Sequence, residues 1–173
     1  MQAIESRADK SDLPLVTIVT PAYNQADYLS ETIDSVLAQD YPNIEYIVID
    51  DGSTDCTSEI LKQYDGRIRG VSQANIGQAA TLNRGWQMGS GQIVGYLSAD
   101  DLLKPFAISE SVLFMLRNPE AFLVYPDFEL IDAKGKFIRK VETLEFDYCK
   151  MVQNLFCYPG PGALFWKRFY EVE

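Results

Sequence analysis

Two doubled carboxylates, Asp50-Asp51 and Asp100-Asp101, each follow a short apolar stretch, Tyr46-Ile47-Val48-Ile49 and Ile93 to Leu97. Adjacent carboxylates repel and favour protonation unless a cation or several donors offset them. Between Ser11 and Leu61 there are ten acidic residues and no Lys or Arg, so no side chain of that stretch neutralises Asp50 and Asp51. A divalent hard cation is the simplest offset, and all-oxygen ligands suit Mg²⁺ or Mn²⁺. Mg²⁺ held by one or two carboxylates keeps the rest of its shell for water and phosphates. A nucleoside diphosphate is the natural bridging ligand.

A plainer reading stands beside this one. Asp51-Gly52-Ser53 is also good turn and helix-cap material, and Ser98-Ala99-Asp100-Asp101 could be a solvated loop ahead of a helix at Pro105. Both pairs on one edge of a sheet favour a site. Other phosphate devices fail: GxxxxGK[ST] is missing, and Gly89-Ser90-Gly91 precedes a strand where a dinucleotide fingerprint follows one. That glycine pair reads as a helix stop and tight turn. Tyr23 is either a core aromatic or a stacking platform.

The chain has no histidine, which removes Ser-His-Asp and Cys-His catalysis and HExxH zinc sites together. Any acid or base must be a carboxylate, Tyr, Lys or Cys. Cys56, Cys149 and Cys157 are odd in number and form no CxxC, so they read as buried small side chains in a reducing compartment. With 15 Lys plus Arg against 25 Asp plus Glu, the net charge is −10, which gives no electrostatic footprint for DNA, RNA or an anionic lipid surface. No apolar run reaches the ~18 residues that span a bilayer, and Met1 to Pro14 is not signal-like, so a soluble, cytoplasmic protein is expected.

The elements that must position these residues follow from periodicity. Residues 1–13 are charged and aperiodic, and are expected to form a flexible arm; the ordered domain is placed at 14–173. Leu15 to Thr20 is apolar on both faces, as a buried parallel strand is, and Pro21 is expected to end it. Leu29, Ile33, Val36 and Leu37 mark an amphipathic helix that Asp27 could cap. A strand at Ile44 to Ile49, a helix near Thr54 to Tyr64, a strand at Ile68 to Ser72, a helix over Gln78 to Met88 and a strand at Ile93 to Leu97 follow. This alternation means βαβ units, an α/β fold with a mainly parallel sheet covered by helices on both faces. Pro105 suits the first turn of a helix carrying Phe106, Val112, Leu113 and Leu116. Ala121 to Tyr125, Phe128 to Ile131 and Lys136 to Val141, with a turn at Asp132 to Gly135, look like antiparallel ribbon. In an open parallel sheet ligands sit beyond the carboxyl ends of the strands. The residues there are Pro21-Ala22-Tyr23-Asn24, Asp50 to Ser53, Gln73-Ala74-Asn75 and Ser98 to Asp101.

Val19 to Asn24, Val48 to Asp55, Asn75-Ile76-Gly77 with Asn83-Arg84-Gly85, and Leu97 to Asp101 together resemble the family 2 glycosyltransferases of GT-A fold, in family order and at family-like spacing. Pro161-Gly162-Ala163-Leu164-Phe165 resembles the family's later acceptor-side segment. The resemblance implies a Rossmann-like nucleotide-sugar-binding half at 14–105 and an incomplete acceptor-side part at 106–173. It implies inverting transfer of a sugar from a nucleotide diphosphate sugar, UDP favoured, to a hydroxyl of a saccharide or lipid-linked saccharide, the latter allowing peripheral membrane association. By that analogy Pro21, Ala22 and Tyr23 flank the base and Asp51 accepts a hydrogen bond from it, with Asp50, Asn75, Gly77, Ser98 and Ala99 around the nucleotide. Asp100, with Asp101 beside it, holds Mn²⁺ or Mg²⁺. Ser98 stands where the family often has Asp, so a ribose contact would come from a hydroxyl. The family's base lies downstream of Phe165 and is carried over to neither Glu171 nor Glu173, so a C-terminally truncated chain that binds donor but transfers poorly is expected. The alternatives are a non-catalytic nucleotide-sugar-binding module and an Asp-cluster phosphoryl-transfer or receiver domain, which would need an acid directly after the first strand.

Overall fold

The computed structural model describes residues 13–154 and 159–170. Cys157, Glu171, Glu173 and nearly all of the expected N-terminal arm lie outside the described residues. The elements run β1 (Val16–Ala22), α1 (Ala26–Leu37), β2 (Ile44–Asp50), α2 (Thr57–Gln63), β3 (Arg69–Ser72), α3 (Gln78–Met88), β4 (Ile93–Tyr96), α4 (Ala107–Arg117), β5 (Leu123–Val124), β6 (Phe128–Ile131), β7 (Phe137–Val141), α5 (Tyr148–Asn154) and β8 (Leu164–Trp166). A six-stranded sheet has the order β3-β2-β1-β4-β8-β5, and β6 pairs with β7 in a separate ribbon. β1 to β4 are mutually parallel, whereas β8 runs antiparallel to both β4 and β5. The expected mainly parallel α/β architecture with a smaller antiparallel part is what the chain forms.

Alternation along the central strands divides the core between two faces. Ile18, Ala22, Tyr46 and Val48 face Leu29, Ile33 and Val36 of α1, Leu61 of α2 and Ile108, Val112 and Met115 of α4. Val19, Ile47 and Ile49 face the other way, onto Leu82, Trp86 and Met88 around α3. Strands buried on both sides need apolar residues at consecutive positions, which is why β1 and β2 read as unbroken apolar runs.

Several local expectations are corrected. Pro21 lies inside β1, which continues to Ala22. The N–H that proline lacks would point toward β4, and pairing with β4 stops at Val19↔Tyr96, so no ladder bond is lost. Asp27 does not cap α1; the Ala26 N–H is taken by the Asp55 carboxylate of the next loop at 3.0 Å. α4 begins at Ala107, after Phe106 in a left-handed conformation with φ 69°. Its buried stripe is therefore Ile108, Val112 and Met115, while Phe106 and Leu116 are exposed. β5 leaves the expected ribbon and joins the main sheet through β8, a three-residue strand too short to show alternation. Gly95 makes this possible: a Cβ there would lie 2.4 Å from Leu164 and 2.7 Å from the Ala163 carbonyl oxygen. Cys56 and Cys149 are exposed thiols, not core residues.

Candidate functional site

The four parallel strands end on one edge, and their loops lock onto one another through polar side chains. Asn24, at φ 54°, receives the Thr54 N–H on its Oδ1 at 2.8 Å, and its own N–H donates to Ser53 Oγ at 3.0 Å. Asp55 accepts from the Ala26 N–H, the Thr57 N–H and the Thr57 hydroxyl. Burial would push its carboxyl pKa up, but these bonds outweigh burial and hold it below the usual carboxylate range.

Asp50 and Asp51 are both buried and point to different partners. Asp50 Oδ1 accepts the Ser53 N–H at 2.9 Å. Asp51 accepts Gln73 Nε2 at 2.6 Å and the Ile76 N–H at 2.9 Å on Oδ1, and the Gly77 N–H at 2.9 Å on Oδ2. Gln73 Nε2 also reaches Thr81 Oγ1 at 2.8 Å, and its Oε1 takes a short hydrogen bond from Arg84 Nη1. Burial raises the Asp51 pKa, yet the donors from Gln73, Ile76, Thr81 and Gly77 prevail and lower it. The Asp51 carboxylate is thus met by N–H donors from the loop after β3, and Asp50 by the Ser53 N–H of its own loop. Gly52 is the condition for that contact. Its φ is 79°, and a Cβ would stand 2.7 Å from the Asn75 backbone nitrogen.

The other acidic pair is held differently. Asp101 donates its N–H to the Ser98 carbonyl at 3.1 Å in a tight turn, and the buried Ala99 carbonyl accepts the Thr32 hydroxyl at 2.8 Å. Leu103 N–H donates to Ser35 Oγ, and Gln39 bonds both the Lys104 carbonyl and the Ile108 N–H. Thr32 and Ser35 of α1, with Gln39 two residues past its end, are spaced i, i+3 and i+7 and carry the loop. Asp100 is exposed and Asp101 half-buried. Burial first and then the charge of Asp100 push the Asp101 pKa up, with a hydrogen bond from Ser98 opposing. Among the described residues no three acidic or Cys side chains converge as a metal cage. An exposed carboxylate beside one that resists ionisation does fit a hard cation completed by phosphate and water, because the cation would relieve the repulsion.

Of the other expected site residues, Pro21 and Ala22 are buried in β1, while Tyr23 is 50% exposed at the edge and is no core aromatic. Asn75 and Gly77 are exposed beside Asp51. Sequence reasoning gave no role to Gln73, Thr81 or the Thr32-Ser35-Gln39 stripe. The i, i+3, i+7 spacing of these residues, flanking the apolar stripe, was the available signal.

A twisted, mainly parallel sheet whose carboxyl edge is acidic places the chain among GT-A folds. S. aureus TarS 1-349 in complex with UDP-GlcNAc superposes with a TM-score of 0.72 at 18% identity, over 91% of this chain and 46% of that one. The Pyrobaculum calidifontis mannosyltransferase PcManGT, solved with GDP-Man and Mn²⁺, gives 0.61 at 26% identity over 70% and 38%. The sequence model of Glycosyl transferase family 2 matches residues 17–172, and the chain belongs to that family. Among relatives, the uncharacterized glycosyltransferase RT0329 of Rickettsia typhi is 43% identical over 70% of this chain. The uncharacterized glycosyltransferase alr2836 of Nostoc sp. is 30% identical over 88%. The chain spans 39% of the length of the first and 51% of the second. This membership displaces the receiver-domain alternative, which needs an acid directly after the first strand, where Tyr23 stands here. No helix among the described residues is long and apolar enough to cross a membrane.

Proposed function

We propose that this domain binds a nucleotide diphosphate sugar, UDP-linked by preference, at the carboxyl edge of the sheet and serves its inverting transfer to an acceptor hydroxyl. The carrying observation is the division of labour between the two acidic pairs. Asp51 is locked by backbone and amide donors into one orientation, as a group that reads a base edge must be. Asp100 is open to solvent, as a group that meets a diphosphate-bound cation must be. Tyr23 offers its ring between them in the chain's edge order, a face on which a base can stack. Asp100, with Asp101, would hold Mn²⁺ or Mg²⁺. Such an ion supplies Lewis-acid stabilisation of charge on the departing nucleoside diphosphate. The chain's residues orient base and diphosphate, so that the anomeric carbon–oxygen bond breaks while the acceptor oxygen attacks from the opposite face. The two neighbours solved with UDP-GlcNAc and with GDP-Man and Mn²⁺ support a nucleotide-sugar ligand and a divalent ion.

Calorimetry with UDP, GDP, TDP and CDP, with and without Mn²⁺, tests this. UDP is expected to bind best, Asp100→Asn to remove the Mn²⁺-dependent part of the affinity, and Asp51→Asn to weaken binding in either condition. UDP binding no tighter than inorganic phosphate, or identical behaviour of the two variants, would overturn it.

A further inference from the structure

Within an overall charge of −10 the chain has one basic segment. Lys134, Lys136, Arg139 and Lys140 fall within seven residues that contain no acid, and they lie on the β6–β7 ribbon and its turn. Every residue from Ile131 to Lys140 is exposed, including three large apolar side chains: Ile131 at 40%, Phe137 at 56% and Ile138 at 58%. The register passes from Leu130↔Arg139 to Ile131↔Phe137, so Ile138 is an extra residue in β7. A bulge of this kind breaks strict alternation and re-aims its side chains, so Phe137 and Ile138 are not forced onto opposite faces.

Among the described residues, the acids nearby leave three of the four cations without an ion pair. Asp132 Oδ1 accepts the N–H groups of Lys134 and Lys136, closing the turn. Glu129 pairs with Lys104, and Asp127 and Glu142 pair with Lys140. Lys134, Lys136 and Arg139 make no ion pair among the described residues. A cation cluster flanking exposed Phe and Ile matches the chemistry of an anionic bilayer surface, where basic side chains meet phosphates and apolar ones enter the headgroup boundary. The acidic body does not cancel this. Charges more than about 8 Å from these cations are largely screened at physiological salt.

We propose that the β6–β7 ribbon docks this protein on an anionic lipid surface, with Phe137 and Ile138 entering the headgroup boundary and Lys134, Lys136 and Arg139 meeting lipid phosphates. The inference is independent of the nucleotide site. It predicts sedimentation of the full chain with vesicles of equimolar phosphatidylcholine and phosphatidylglycerol, no sedimentation with phosphatidylcholine alone, and release by high salt. Each cation is worth about fivefold in partitioning, so replacing Lys134, Lys136 and Arg139 together by Gln should weaken it on the order of 100-fold. Phe137→Trp keeps the apolar surface and should give blue-shifted emission on the mixed vesicles above the background of Trp86 and Trp166. The proposal is overturned by equal binding to both vesicle types or to neither, by an unchanged triple variant, or by unshifted Phe137→Trp emission. It is equally overturned if the ribbon variants abolish a dimer or nucleic-acid binding instead.

Discussion

The loops between Tyr23 and Lys104 and the ribbon between Phe128 and Val141 are both surface polar structure, yet they are held by different means. In the first region carboxylates and amides reach across from one loop to the next and end on backbone N–H groups, as Asp51 does on Ile76 and Gly77. In the second, the long contacts are exposed ion pairs such as Lys104–Glu129 and Lys140–Asp127, which solvent and salt screen. Ligand charge at the sheet edge is met without reorganisation only if donors are already in place, and that is the region where they are fixed. The ribbon, tied by exposed ion pairs and ringed by exposed apolar groups, is expected to open more readily than the edge loops.

The sharpest way to break this contrast is Gly52→Ala. The added methyl must either push Asn75 back or leave the left-handed region, and together these should cost about 3 kcal/mol and lower Tm by roughly 10 °C. A loss under about 1 kcal/mol by calorimetry would mean that the edge loops yield and that the two regions do not differ.

Next is the charge on Asp51. Its folded pKa and that of Asp55 lie below their unfolded values, so the stability they contribute is present above about pH 4 and is lost as pH falls through the folded values. Asp51→Asn should therefore cost about 2 kcal/mol at pH 7, and wild type and variant should converge under strong acid. Asp101 has the opposite sign: its raised pKa makes its ionisation destabilising as pH rises through the folded value. Urea unfolding at pH 7 and near pH 3 reads the first effect, and a gap that does not narrow would contradict it.

The smallest effect belongs to the ribbon. Lys104→Ala should lower the unfolding free energy from urea titration by less than about 1 kcal/mol, because its ion pair is exposed. Amide exchange over β6 and β7 should be faster than at Asp51, Ile76 and Gly77 in the same protein. Equal protection would place both regions in one cooperative unit.

The legible part of this fold is the part with period and length. α3 forms over Gln78–Met88 as its pattern predicts, and β1 and β2 betray burial on both faces by consecutive apolar residues. What escaped is set by tertiary partners. Pro21 forbids a ladder bond only where a neighbour strand exists, and the register with β4 decides that. Asp55 rather than Asp27 caps α1 because the β2–α2 loop comes to rest on the helix start. The acidic pairs were legible as an edge, but Asp51 met its charge through N–H groups 25 and 26 residues away, which no local pattern announces.

β8 also dictates an order of events. Its partner on β4 is about seventy residues away in sequence, as in Ile93↔Trp166, and β5 has no place in the sheet until Leu164 and Phe165 arrive. Closure of so long a loop is among the slower steps of folding, since its entropy is spent before the contact returns anything. On the ribosome the β3-β2-β1-β4 half can close first, with β4 left as a bare edge until the chain has emerged past Trp166. That edge carries Ile93 and Val94 next to a glycine, a short apolar strand open to pairing with a second nascent chain. A late-arriving three-residue strand thus acts as the seal on the sheet, and the interval before it docks is when this protein is most open to misassembly.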